Sequence, residues 1–226
     1  MKIAVALLTC DRYDYTERVL RALHARNNLD GMALVYADDN SVDQRIHDIT
    51  RQYGFEPGFL NTGKRLGCSP MTDALWQAAK EMVGDDGAII SVQNDFECIR
   101  ELPWGLIEDA LKRPEVVCVK LWDAPRKGGR IGPVTPLLRR AKWNDDESYS
   151  EPVETARTGW GFGPIAMKAE TACRIALRAT REKGVMKQSV RLNGIVVRPK
   201  QVAFRHIGVT KTPRGIYRSR NRYSAA

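Results

Sequence analysis

No stretch of the 226-residue chain approaches the roughly 20 consecutive apolar residues that a membrane-spanning helix needs. Cysteine pairs are missing too. The five cysteines, Cys10, Cys68, Cys98, Cys118 and Cys173, are dispersed, and no Cys-x-x-Cys occurs. Reduced thiols in a cytoplasm are therefore expected, and a zinc site is disfavoured. No Gly-x-Gly-x-x-Gly follows the first apolar segment and no Walker lysine loop is present, which argues against a dinucleotide or P-loop fold. Histidine is scarce, at three residues: His24, His47 and His206.

Acidic residues also run out. None occurs after Glu182, and residues 183–226 hold 11 of the 36 lysines and arginines. The remaining 25 basic residues are balanced by all 27 acidic ones, so the net charge of +9 belongs to one end of a near-neutral chain. Such asymmetry points to a polyanionic partner or to a solvated basic tail. The last residues, from Thr210, read as an extended arm. There Lys211, Arg214, Arg218, Arg220 and Arg222 interleave with Tyr217 and Tyr223, a pattern suited to phosphate neutralisation with base stacking.

What is present reads as an α/β protein. A hydrophobic content of 43% against 28% charged residues is that of a soluble globular chain with a sizeable core. Residues 2–9 read as a buried first strand, not a leader peptide. Tyr15 to Arg26 reads as an amphipathic helix, Ala33 to Ala37 as a strand, and Val42 to Tyr53 as a second helix. A loop with Gly54, Pro57 and Gly58 leads to Phe59-Leu60-Asn61. Pro70 to Met82 is a third helix, Ala88 to Val92 a strand, Leu106 to Leu111 a helix and Val116 to Leu121 a strand. Residues 124–158, rich in glycine and proline with a polar run at 144–148, read as a mobile loop region over a site. Ala166 to Lys183 is expected to be helical, with short strands at Ile195-Val196-Val197 and Val202-Ala203-Phe204. Alternation of strand and helix predicts a mostly parallel sheet with ligands at the strand C-termini.

Three of those ends carry polar groups: Thr9-Cys10-Asp11-Arg12, Asp38-Asp39-Asn40-Ser41-Val42-Asp43, and Asp95 after the strand Ala88-Ile89-Ile90. A carboxylate at a strand end suits Mg²⁺ or Mn²⁺, and equally a helix cap or a solvated turn. Alternation along an extended chain would put Asp95 and Glu97 on one side. The Asp38–Ser41 run can likewise be a turn whose Ser41 or Asp43 caps a helix.

The order and spacing of these segments resemble the GT-A glycosyltransferases, in particular the family-2-like group. The resemblance rests on Thr9-Cys10-Asp11-Arg12, on Asp38-Asp39-Asn40-Ser41-Val42-Asp43, on Asn61-Thr62-Gly63-Lys64-Arg65-Leu66-Gly67, on Asp95 as the last residue of a DxD motif, and on Gly159-Trp160-Gly161-Phe162-Gly163-Pro164 as an acceptor segment. It is good over residues 1–100 and thin beyond. It implies a single GT-A domain over 1–208, with a nucleotide-sugar half (1–100) and an acceptor half (101–208), followed by the basic arm 209–226. It implies a nucleotide-sugar donor, UDP-linked by preference, held by Thr9, Asp11, Arg12, Asp38, Asp39, Lys64, Arg65 and Asn94. A Mn²⁺ or Mg²⁺ cofactor would sit on Asp95, with His206 as a second ligand or as a structural or phosphate-contacting histidine. Trp160, Gly161 and Phe162 would face the acceptor or pack in the core.

The chain departs from that pattern twice. Gln93 and Asn94 stand before Asp95, so the first aspartate of the motif is replaced. No carboxylate follows the Gly-Trp segment until Glu170, so an acceptor base must come from elsewhere: Asp123 first, then Glu154 and Asp145. A retaining reaction needing no such base stays open. The basic arm points to an acceptor hydroxyl on nucleic acid, such as a hydroxymethylated base of bacteriophage DNA flipped from the stack. The alternatives are a saccharide or protein acceptor, or a non-catalytic nucleic-acid-binding module of the same fold.

Overall fold

A computed structural model describes residues 1–122, 144–157, 163–176 and 194–207. The first half alternates strand and helix. Strand β1 (Ile3–Thr9) leads through helix α1 (Tyr13–Arg26) to β2 (Ala33–Asp39), then α2 (Arg45–Gln52), β3 (Glu56–Asn61), α3 (Cys68–Val83) and β4 (Ala88–Gln93). These four strands are mutually parallel in the order β3-β2-β1-β4. Helical crossovers between parallel neighbours produce that arrangement.

The second half is mixed. After β5 (Phe96–Cys98) and α4 (Trp104–Lys112) come β6 (Val116–Lys120), β7 (Asn144–Asp146), β8 (Val153–Ala156), β9 (Ile165–Lys168), α5 (Ala169–Ala176), β10 (Ile195–Pro199) and β11 (Phe204–His206). Strand β9 lies antiparallel between β4 and β6, β10 is parallel to β6, and β8 and β7 close the far edge of a nine-stranded sheet. A separate antiparallel pair joins β5 to β11.

Each face of the main sheet carries its own core, as period-two alternation requires. Val5 and Leu7 pack with Val19, Leu20 and Leu23 of α1 and Leu106, Ile107 and Leu111 of α4. Ala4, Ala6 and Leu8 face Met71, Leu75 and Trp76 of α3 and Ala172 and Cys173 of α5. Alanines on the second face let α3 approach closely enough to bury Trp76 to 1% exposure.

Four expectations are corrected. The segment around Pro57 is a strand, not a loop, pairing with β2 at the sheet edge, where a proline removes no needed donor. Its register shifts opposite Tyr36 and Ala37, leaving Gly58 as the extra residue. The expected loop region of 124–158 contains β7 and β8 within its described part. The expected helix at Ala166 begins as β9 and turns helical only at Ala169. Short apolar runs such as Ile165-Ala166-Met167 fit either period, so periodicity alone could not separate them. Finally, Asn94 and Asp95 form a turn between β4 and β5, which breaks the alternation expected to align Asp95 with Glu97.

Candidate active site

The C-terminal ends of β1, β2 and β4 meet at one edge, and the turn after β1 is the centre of the site. Asp11 and Arg12 are both left-handed, at φ 50° and 63°, and Asn40 after β2 is at 55°. Such backbone is uncommon for residues with a side chain and persists where surrounding contacts fix it. Those contacts are present. The Asn94 amide donates to the Asp11 carbonyl at 2.9 Å and to Thr16 Oγ1 at 3.1 Å. Ser41 Oγ accepts the Asp11 backbone N–H at 2.7 Å, and an Asp11 carboxylate oxygen accepts the Val42 N–H at 2.9 Å. Arg65 Nη2 reaches the other Asp11 oxygen at 2.5 Å.

Several expected donor residues are thereby occupied inside the protein. Asp38, 1% exposed, accepts the Thr9 hydroxyl at 2.7 Å and both the backbone N–H and the hydroxyl of Ser41, so its carboxylate builds the 38–41 turn. Asn94, also expected as a donor contact, is turned inward by the bonds just described. Asp39 accepts from Asn61 Nδ2 at 2.8 Å, Leu66 N at 2.9 Å and Gly67 N at 2.8 Å. It ties the 61–67 loop and the start of α3 to the end of β2. Lys64 is exposed on that loop.

Asp95 stands where the β4–β5 turn opens. Its Oδ2 lies 3.2 Å from His206 Nε2 and 3.3 Å from Arg12 Nη1. The β5–β11 pair explains how a residue 111 positions away arrives there: Phe204, Arg205 and His206 pair with Cys98, Glu97 and Phe96, and the Ile207 N–H donates to the Asp95 carbonyl at 2.8 Å. The ring of His206 also lies 4.7 Å from that of Phe96. Glu97 points elsewhere. It takes a bidentate bond from Arg18 at 2.9 and 2.8 Å and a third from Arg205 at 2.5 Å, and these guanidinium groups hold its carboxyl below the usual range. Glu97 thus pins β11 and α1 to β5.

Among the described residues no group of three His, Cys, Asp or Glu side chains could hold a metal. Asp95 and His206 instead bring together one carboxylate oxygen and one imidazole nitrogen, a donor pair whose chemistry fits Mn²⁺ or Mg²⁺.

Of the base candidates, Glu154 lies on β8, four strands from β4 and so on the order of 19 Å along the sheet. Its carboxylate is paired with Arg198. Asp145 on β7 pairs with Lys200 at 2.6 Å. Asp123, the acceptor residues Trp160, Gly161 and Phe162, and the arm residues Lys211, Arg214, Arg218, Arg220 and Arg222 lie outside the described residues. At the edge of the expected acceptor segment, Gly163 passes so close to Trp122 that a Cβ there would overlap the indole. Trp122 in turn packs on Phe96 with ring centroids 5.1 Å apart. The indole thus packs on the residue that follows Asp95.

His47, a boundary residue of α2, bonds the Tyr36 hydroxyl at 3.1 Å and lies 3.8 Å from Asp38, beside a pocket of about 240 Å³ lined by Asn40, Gln44, Arg51, Asn61 and Thr62. Cys10 is too buried to act as a thiolate, since desolvation pushes it up to about 11.

No family model matches the chain, and no curated protein matches its sequence. Solved structures match its fold. GalNAc-T7, crystallised with UDP, GalNAc and Mn²⁺, superposes with a TM-score of 0.62 at 16% identity over 88% of this chain and 42% of that one. TarS of S. aureus gives 0.56 at 15% identity over 90% of this chain and 36% of that one, and has also been crystallised with UDP-GlcNAc. The 4-diphosphocytidyl-2C-methyl-D-erythritol synthase gives 0.52 at 14% identity over 88% and 90%. The chain spans about two fifths of the length of the first two. The fold is GT-A.

Proposed function

We propose that the chain is a glycosyltransferase domain that takes a sugar from a nucleoside-diphosphate sugar, UDP-linked by preference, in the presence of Mn²⁺ or Mg²⁺. The observation that carries this reading is the Asp95–His206 pair at the C-terminal end of β4, 3.2 Å apart, within a GT-A fold. A divalent ion held there neutralises charge that builds on the leaving diphosphate. Asp95 and His206 supply its protein ligands. The 38–43 turn, the 61–67 loop and the pocket between α2 and the end of β3 provide walls for nucleoside and phosphates, with Lys64 exposed at their rim. Nucleotidyl transfer is disfavoured because β1 runs into Thr9-Cys10-Asp11-Arg12 with no glycine before Gly31.

For the acceptor, the charge of residues 183–226 supports a hydroxyl on a polyanion, with a hydroxymethylated base in DNA as the first choice and an anionic saccharide as the second. Among the described residues no helix is long and apolar enough to cross a membrane.

The experiment is thermal unfolding with UDP, GDP, CMP and dTDP, each with and without Mn²⁺, followed by donor-sugar consumption with and without hydroxymethylated DNA. Saturation at about 100 times Kd stabilises by about 2.7 kcal/mol, or about 8 °C for a chain of this size. A Mn²⁺-dependent shift with one nucleotide is the expected result. No shift with any of them sinks the donor reading. For DNA, affinity that does not change between 50 and 200 mM salt removes the nucleic-acid acceptor, because several phosphate contacts cost on the order of a thousandfold over that range.

A further inference from the structure

Resting on that reading of Asp95, we infer that Arg12 is a gate on the cation position, released by the donor diphosphate. Arg12 Nη1 and His206 Nε2 converge on one atom, Asp95 Oδ2, at 3.3 and 3.2 Å. A divalent ion held by Asp95 and His206 would compete for that same oxygen. A guanidinium and a dication crowded on one carboxylate also repel, so each weakens the binding of the other. The guanidinium is not a loose surface charge. It springs from a left-handed residue at φ 63° whose carbonyl starts α1 by accepting the N–H groups of Tyr15 and Thr16, and its side chain is one-third exposed against one-fifth for Asp95. It also sits 5.7 Å over the Tyr15 ring.

The consequence is ordered binding. Without nucleotide, Arg12 compensates the charge of Asp95, and any ion must displace it. A diphosphate offers Arg12 a better, bidentate partner. Arg12 then leaves Oδ2, and the cation position opens when the phosphates that complete it arrive. Metal and nucleotide thus favour one another partly through Arg12, and by linkage the coupling is mutual. The replaced first aspartate of the motif fits the same device: with Gln93 there, one carboxylate carries the site, and a single arginine suffices to neutralise it.

The test measures Mn²⁺ binding by electron paramagnetic resonance on the full chain as wild type, Arg12→Met, Arg12→Lys and Asp95→Asn, each with and without saturating UDP. An exposed pair of this kind is worth up to about 1 kcal/mol, so Arg12→Met is expected to bind Mn²⁺ alone about fivefold more tightly than wild type. Arg12→Lys stays near wild type, Asp95→Asn loses binding, and UDP tightens Mn²⁺ binding by a larger factor in wild type than in Arg12→Met. A misfolded variant cannot gain affinity, so misfolding cannot produce the expected result. Equal or weaker Mn²⁺ binding by Arg12→Met without UDP overturns the gate. Sugar consumption separates this from the functional reading. Turnover with unchanged Mn²⁺ affinity removes the gate alone, whereas a gain in affinity without turnover on any nucleotide sugar removes the transferase and leaves the gate.

Discussion

His206 Nε2 lies 3.2 Å from Asp95 Oδ2 although 111 positions separate the two residues. The small β5–β11 sheet brings them together, with Glu97 opposite Arg205 in its register and the Ile207 N–H on the Asp95 carbonyl. The Asp95–His206 contact therefore joins the two halves of the chain, and its geometry depends on contacts outside residues 1–100.

Removing either ligand should separate metal binding from folding. Asp95→Asn takes away the charged oxygen, and its transfer rate is expected to fall by more than about 100-fold, the upper end of what outer-shell partners of a metal lose. His206→Ala leaves the carboxylate and should show a smaller loss that excess Mn²⁺ restores in part. Steady-state rates against Mn²⁺ concentration check both. Equal Mn²⁺ dependence of His206→Ala and wild type would remove the histidine from the ligand set.

The strands with two covered faces were the legible ones. β1, β2, β4 and β6 are continuous apolar runs because helices cover both sides, so composition alone marks them. β3 is the opposite case. It is exposed along most of its length and holds Pro57 and Gly58, so nothing local marks it as a strand, and only pairing with β2 makes it one. The site divides the same way. Asp95 was readable from its place at a strand end, and His206 only through resemblance, since the β5–β11 register has no local signal. Asp38 and Asp39 look alike in sequence, yet one is turned into the 38–41 turn and the other toward the 61–67 loop. Successive residues leave a strand on opposite faces, which assigns them different partners.

Asp39 is expected to show a split between stability and binding. Asp39→Ala strands one N–H of the Asn61 amide, whose other bond goes to the Lys64 carbonyl, and the N–H groups of Leu66 and Gly67. Loss of a carboxylate acceptor of this kind costs about 2 kcal/mol, which for this size is about 6 °C in Tm. Asp39→Asn keeps the shape and one acceptor oxygen, so its Tm should fall by less than half of that. If Asp39 also contacts the donor, the nucleotide-induced shift in Tm disappears in Asp39→Asn even though the protein stays folded. A full shift in that variant would restrict Asp39 to tying down the loop.

His24 gives the fold a pH dependence of defined sign. Its ring packs 5.0 Å from Tyr53 and 6.4 Å from Phe55, and burial holds its pKa below the ordinary 6.5, against a smaller upward pull from a backbone bond to Tyr53. Its Nε2 has no hydrogen-bond partner among the described residues. The unfolded chain therefore takes up the proton first as pH falls. The contribution of neutral His24 to stability is complete above pH 6.5 and is lost as pH drops through the lower folded value. Tm should decline between pH 7 and pH 5, and His24→Leu, which has nothing to protonate, should flatten that decline. An identical slope in the variant would assign the titration to another group.

Gly58 tests whether the edge of the sheet is as tightly built as the geometry indicates. A Cβ there would lie 2.6 Å from Val35 Cγ2 and 2.7 Å from Ala78 Cβ, with the carbonyl of Tyr36 at 3.6 Å. Val35 is 1% exposed and belongs to the α3-facing core, so neither it nor the alanine can swing away. Relief requires β3 to shift away from β2 or α3 to lift from the sheet. Overpacking of this kind costs about 2 kcal/mol. Gly58→Ala is therefore expected to lower Tm by about 6 °C. Because β3 ends at Asn61, which bonds Asp39, the shift should also weaken nucleotide binding. Gly63→Ala, two residues past that strand with its nearest neighbour at 3.7 Å, is the control and should leave Tm nearly unchanged. If both variants melt alike, β3 is not packed against Val35 and Ala78, and the bulge at Gly58 does not set the height of the 61–67 loop.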